Sequence, residues 1–231
     1  DLTDREANYF REPVWKLSRA LRGQINPWLG YYHGTVHSFD TAALAQSLEV
    51  MLSGFWQSER YFSNYGHQLR TDLVLKNPLP SAAVKLAAQM ASSPSVAMHV
   101  RRGDYLSDPK ALVKHGVTSA HYYQMALQLM IEKLGDVDLY VFSDDPDWVR
   151  TNIQHPNIIF VSDFGFSAEQ DLWLISACQH QIIANSSFSW WGAYLNDYAS
   201  KIIVAPQPWF DAKHMAQQDI IPAGWNTLAK S

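Results

Sequence analysis

A single cysteine, Cys178, excludes any disulfide within the chain and fits a reducing compartment. Long apolar runs are missing too: none approaches the roughly 20 residues of a membrane-crossing helix. The opening DLTDREANYF has neither a basic n-region nor an apolar h-region. A cytoplasmic chain without a membrane span is expected, at most peripheral to the inner face of the membrane. Charge of one sign is equally scarce. Lys and Arg number 18 against 22 Asp and Glu, and no basic block is present from which a phosphate-backbone surface could be built. Nucleic acid is therefore not an expected partner, and no repeat or low-complexity segment suggests an array.

What is present is apolar and aromatic. At 231 residues and 47% hydrophobic content, the chain can bury a sizeable core and falls between one large domain and two small ones. Nine Trp and eleven Tyr supply flat faces of the kind sugar sites use, although for any single Trp core packing is the first reading.

The periodicity divides the chain in two. DREANYFREPVWKLSRALRG, FDTAALAQSLEVMLSG and SERYFSNYGHQLRTDLVL carry apolar residues at three and four spacing, which predicts a helical N-terminal part without strands. KNPLP at 76–80 breaks any helix and is the predicted boundary, so residues 1–80 are read as one part and 81–231 as another. After SAAVKLAAQMAS, short β-branched runs alternate with helical segments. VAMHV, DLYVFSD, NIIFVSD, QIIAN and KIIVAP are read as strands, with helices over SAHYYQMALQLMIEKLG, PDWVRTNI, AEQDLWLISAC and SFSWWGAYLN between them. That alternation predicts an α/β fold with a parallel, Rossmann-type sheet flanked by helices. Ser167 and Gln170 form a predicted capping box for the helix that carries Asp171.

In such sheets ligands bind beyond the carboxyl ends of the strands, and here those ends carry polar groups. VAMHV runs into Arg101, Arg102 and Asp104; DLYVF into Ser143, Asp144 and Asp145; IIFV into Ser162 and Asp163; QIIA into Asn185, Ser186 and Ser187. Two adjacent guanidiniums repel one another, so Arg101 and Arg102 point to an anionic ligand, a diphosphate being the natural candidate. The alternative is a clamp between Arg101 and Asp104, with Arg102 in solvent. The turn after QIIA combines Ser186, Ser187 and Ser189 with a helix start, which makes an anion site without lysine. Ordinary N-capping by one serine is the alternative there.

HVRRGD at 99–104, FSDD at 142–145, NSSFSWWGAYLN at 185–196 and FWQSERYF at 55–62 together resemble the α-1,2-fucosyltransferase family, from about Gly54 to Phe210. The resemblance implies a two-lobed GT-B architecture and metal-free, cofactor-free, inverting transfer of L-fucose from GDP-fucose to the 2-hydroxyl of a galactose-type acceptor, free or lipid-linked. The N-terminal part would belong to the acceptor-side lobe, and residues 81–231 would form the nucleotide-sugar domain, with a C-terminal segment returning to the first lobe. By motif position, Arg101 and Arg102 would contact the diphosphate and His99 would lie beside the nucleotide. Ser186, Ser187 and Phe188 would wrap the phosphates, Asp171 would read guanine and Asp144 would be a second nucleotide-side carboxylate. The family's glycine-rich GxGNQ opening is not found in this sequence, from which donor binding is expected to be less affected than acceptor binding.

Deprotonating an acceptor hydroxyl calls for a carboxylate or His, worth roughly 10²- to 10⁴-fold when well placed. Asp104 is the first candidate, with orientation of an arginine as its other role, and Asp108 is the reserve. Rival readings are a metal-dependent glycosyltransferase using Asp144, Asp145 and Asp147, a glycosidase, which has no use for a diphosphate pocket, and a non-catalytic sugar- or nucleotide-binding module. The DxD pair Asp136 and Asp138 precedes its strand and is read as a solvated turn.

Overall fold

The computed structural model describes residues 31–33, 38–45, 51–212, 215, 217 and 219–231. The chain forms two compact units, one from residues 1–63 with 214–222 and one from 64–213 with 223–231.

In the first unit, β1 (Tyr31–His33) pairs in parallel with β2 (Met51–Ser53), and α1 (Thr41–Leu44) starts on an Asp40 N-cap. Asp219 accepts from the Phe39 N–H at 2.9 Å and from Arg60 Nη1 at 3.0 Å, while the Arg60 guanidinium lies 4.1 Å above the Phe39 ring. The two strands correct the expectation of an N-terminal part without strands. Each takes its partner some 20 residues away, and a pairing at that distance leaves no trace in local helical periodicity. The first expected helix, DREANYFREPVWKLSRALRG, lies outside the described residues. Of the third, only Gly66–Asp72 is α-helical (α2), preceded by two single turns of 3₁₀ helix.

The second unit is a six-stranded, wholly parallel sheet in the order β5-β4-β3-β6-β7-β8. α3 (Ser81–Ser92) leads into β3 (Ser95–Val100), followed by two short helices, α4 (Gly103–Ser107) and α5 (Pro109–His115), and the long α6 (Ala120–Leu134). Then come β4 (Asp138–Ser143), α7 (Pro146–Asn152), β5 (Ile158–Phe160), α8 (Ala168–Ala177), β6 (His180–Ile182), α9 (Ser187–Leu195), β7 (Ile203–Gln207) and β8 (Asn226–Ala229). The α/β, Rossmann-like sheet expected from the alternation is present, and so is the Ser167–Gln170 capping box. The strand β8 and the helices α4 and α5 were not expected.

Two layers of core enclose the sheet. Successive side chains of a strand point to opposite faces. Val96, Met98 and Val100 pack with Tyr122, Tyr123 and Met130 of α6, whereas Ala97 packs with α3 and α8 through Met90 and Leu174. β3 is buried along its whole length. The chain proceeds from β3 outward through β4 and β5, then returns across the sheet to β6 on the other side of β3. The crevice beyond the carboxyl ends of β3 and β6 is thus the topological switch point, where open α/β sheets bind ligands.

Candidate functional site

A cavity of about 430 Å³ opens at that switch point. The exit of β3 brings His99, Arg101 and Asp104 to it, the exit of β4 brings Ser143 and Asp144, the first turn of α8 brings Asp171, and the start of α9 brings Ser186, Ser187 and Phe188. Nine of the residues singled out from sequence therefore converge, from four separate elements. A larger cavity of about 800 Å³ lies along the flank of α8 among Leu73, Leu172, Trp173, Trp191 and Leu195. That second hollow is lined by neither the strand exits nor Arg101 and Arg102.

The β3 exit is organised by charge. Asp144 accepts from the Arg102 N–H at 2.9 Å and the Gly103 N–H at 3.1 Å, so a carboxylate from β4 caps the start of α4, where a negative charge also suits the helix dipole. Gly103 suits this closeness, since a Cβ there would stand 3.1 Å from the carboxylate, tighter than an ordinary contact. Arg101 reaches Asp104 at 2.8 Å and Asp144 at 3.3 Å. The hydrogen bond to Arg101 holds the Asp104 carboxyl below the usual range, which makes Asp104 a weaker proton acceptor than a free carboxylate.

Arg102 turns elsewhere. Its Nε donates to Asp145 at 3.2 Å and its guanidinium lies 4.0 Å above the Trp148 ring, so the side chain fastens α7 and is not part of the cavity lining. Asp145 is at the same time the N-cap of α7. Asp108, the reserve base, is spent on capping α5 through the Lys110 N–H at 2.8 Å. Asp147 faces solvent beside Arg150. Among the described residues no group of three or more His, Cys, Asp or Glu is arranged to hold a metal ion. Asp138 stands at the start of β4, the end of the sheet opposite the cavity.

The β6 exit is organised by neutral hydrogen bonds. Asn185, buried, donates from Nδ2 to the carbonyls of His115 at 2.8 Å and Trp209 at 3.0 Å and accepts from the Thr118 hydroxyl at 3.1 Å. It holds the turn and does not line the cavity. Ser189 is also drawn inward, its hydroxyl donating to the carbonyls of Ala184 and Ser186. Ser186 occupies the N-cap of α9 without a side-chain capping bond, so ordinary serine capping is absent and the positive end of the helix is presented to the cavity.

Two titratable groups in the lining are displaced by burial. His99 lies 5.4 Å from the Phe188 ring with a buried Nδ1 that has no hydrogen-bond partner, and burial together with the Arg101 charge lowers its pKa to about 3. It is a neutral imidazole at physiological pH. The Asp171 carboxyl, half-buried and with an unpartnered Oδ1, is pushed up to about 6 by desolvation. Sequence reasoning missed Tyr105 and Phe142. Tyr105 stacks on His115 at 4.9 Å and donates its hydroxyl to the Asn185 carbonyl at 3.0 Å, tying the two exits together. Phe142 is the register partner of His99 on β4, so strand alternation carried the signal.

In chemical terms the cavity offers one guanidinium with its two carboxylate partners, the N-terminal ends of two helices, three serines, a neutral histidine and a further carboxylate, Asp171, with an unused oxygen. Such a set receives an anion on one side and a hydrogen-bond donor on the other.

Comparison with known proteins agrees with this chemistry. The family model described as glycosyl transferase family 11 matches residues 19–229, a longer stretch than the motif resemblance from Gly54 to Phe210. An α-1,2-colitosyltransferase of Escherichia coli is 38% identical over 187 residues, covering 78% of this chain and 63% of that protein. The O-antigen biosynthesis glycosyltransferase WbnK of Escherichia coli is 42% identical over 119 residues, covering 50% and 39%. Galactoside α-(1,2)-fucosyltransferase 2 of Hylobates lar is 28% identical over 197 residues, covering 82% and 57%. The chain matches less than two thirds of the length of each of these relatives. With the family model matched over nearly the whole sequence and the motif residues gathered at one switch point, the chain belongs to glycosyl transferase family 11.

Proposed function

We propose that this chain carries the donor site of an inverting glycosyltransferase that moves L-fucose from GDP-fucose to the 2-hydroxyl of a galactose-type acceptor, as part of a glycan or a lipid-linked precursor. The observation that carries the reading is the convergence of Arg101 with the uncapped start of α9 and the first turn of α8 in one cavity. Negative charge grows on the departing diphosphate, and preorganised positive groups aimed at it account for much of the catalysis in such reactions. Arg101 and the Ser186–Phe188 turn take that part. Asp171, with a free carboxylate oxygen, takes the guanine N–H donors, and neutral His99 lies beside the nucleotide. Residues 1–80 are assigned to the acceptor-side lobe, with a C-terminal segment returning to it, as the grouping of 214–222 with 1–63 supports. Two of the relatives' names support a sugar joined through an α-1,2 linkage, and a third, in O-antigen biosynthesis, supports an acceptor that belongs to such a glycan.

Calorimetric titration of GDP and GDP-fucose in the presence of EDTA, with wild type beside Arg101→Ala, tests the reading. Micromolar binding that the substitution weakens by about tenfold or more is expected for loss of a charged hydrogen bond. Absence of GDP binding in a folded wild-type chain would remove it. Binding of GDP without turnover of GDP-fucose on any galactoside would leave a nucleotide-binding module instead.

A further inference from the structure

Arg101 carries one positive charge and faces two carboxylates, Asp104 at 2.8 Å and Asp144 at 3.3 Å. An incoming diphosphate therefore meets a cluster whose cation is already overmatched, and a phosphate oxygen gains the full attraction of the guanidinium when one carboxylate gives way. The two are not equally free to do so. Asp144 has its side chain 25% exposed and is pinned by the N–H groups of Arg102 and Gly103, so withdrawing it would uncap α4 and strip two main-chain donors. Asp104 has its side chain 54% exposed, lies on the first turn of α4 and is held to Arg101 by an i,i+3 pair at the surface. A rotation of its side chain carries it into water at the cost of an exposed ion pair, among the weakest of electrostatic contacts.

We infer that Asp144 is a positioning residue that holds Arg101 toward the cavity, and that Asp104 is an exchangeable counterion whose place on Arg101 is taken by the diphosphate of the donor. This rests on the donor-site reading for the identity of the anion, though not for the exchange itself. Asp144 acts on the donor through Arg101, without touching it, and its bonds from the N–H groups of Arg102 and Gly103 fix its own place. Asp104 offsets the Arg101 charge at the cavity until an anion takes its place. The exchange makes the two carboxylates, only 40 positions apart and on the same arginine, opposite in effect.

The test uses calorimetry on the full chain with two probes, GDP and inorganic pyrophosphate, the second lacking the nucleoside. Asp104→Asn is expected to tighten both by roughly two- to fivefold, the scale of one exposed ion pair. Asp144→Asn is expected to weaken both by about tenfold or more, with thermal melts confirming that the variant is folded. In an Arg101→Ala background the Asp144→Asn penalty should disappear, whereas a purely structural defect would persist there. Should Asp144→Asn not fold, the sign of the Asp104→Asn change still decides: weaker pyrophosphate binding overturns the exchange. Pyrophosphate binding with the expected signs but no GDP binding would overturn the nucleotide reading and leave the exchange standing. No binding of either probe to folded wild type would overturn both.

Discussion

The exits of β3 and β6, neighbours in the sheet, are held by opposite means. After β3 the chain is set by charges: Asp144 and Asp104 on Arg101, and Asp145 on Arg102, with most of these groups partly exposed. After β6 it is set by the neutral and buried Asn185 and Ser189, whose donated bonds end on main-chain carbonyls. Charged pairs at a surface are worth little individually and exchange partners readily, whereas buried neutral bonds cost most when one partner is removed. One wall of the cavity is consequently adjustable and the other rigid. This division suits a site that must take up a diphosphate and release it while keeping its shape.

The largest effect is expected on the rigid side. Asn185→Ala removes the donors to His115 and Trp209 and the acceptor for Thr118. Urea unfolding should show a loss of about 2 to 5 kcal/mol, and a loss below ~1 kcal/mol would erase the contrast between the two walls. On the adjustable side, Arg101→Ala should leave unfolding nearly unchanged and appear instead in GDP affinity, with about 1.5 to 3 kcal/mol lost by calorimetry.

Asp171 sharpens the comparison through pH. Burial raises its carboxyl from 3.8 to about 6. Across that window the folded chain holds a proton that the unfolded chain has released, so the contribution of this group to stability falls as pH rises toward 6 and stays at the lower level above it. Asp171→Asn should therefore raise the melting temperature at pH 7 and flatten the profile over that window. GDP affinity should run the other way in wild type, increasing as pH rises through 6 and the carboxylate becomes an acceptor. A profile unaffected by the substitution would assign the titration to another group.

The smallest change is expected at Arg102, whose neighbour Arg101 lines the cavity while it does not. Arg102→Ala removes the bond to Asp145 and the stacking on Trp148. Roughly 0.5 to 1 kcal/mol of stability should go with them, together with a smaller loss of GDP affinity than Arg101→Ala causes. An equal loss would mean that both arginines reach the anion.

Much of this site was legible before the fold. The polar residues that follow VAMHV, DLYVF and QIIA come together because parallel strands place all their carboxyl ends at one edge, a property of the topology that alternation alone implies. Tyr105 and Phe142 become site residues through partners that folding brings to them, His115 and Asn185 for the first and His99 for the second. Ser189 was counted as a ligand-facing hydroxyl, yet its position on α9 aims it at the carbonyls of Ala184 and Ser186. The strands Tyr31–His33 and Met51–Ser53 were hidden for a related reason, since each is three residues long and defined only by the other.

By itself, then, the amino-acid order determined the α/β alternation, the capping box at Ser167 and Gln170, and the set of polar groups available at the strand ends, because these depend on contacts within a few residues. Only the tertiary structure decided that the chain recrosses the sheet between β5 and β6, that Asp144 caps the turn after β3, and that Arg101 enters the cavity while Arg102 lies on Trp148. Each of those outcomes joins groups some forty or more residues apart, and which of two adjacent guanidiniums meets which carboxylate is settled by the packing of β4 and α7 against the exit of β3.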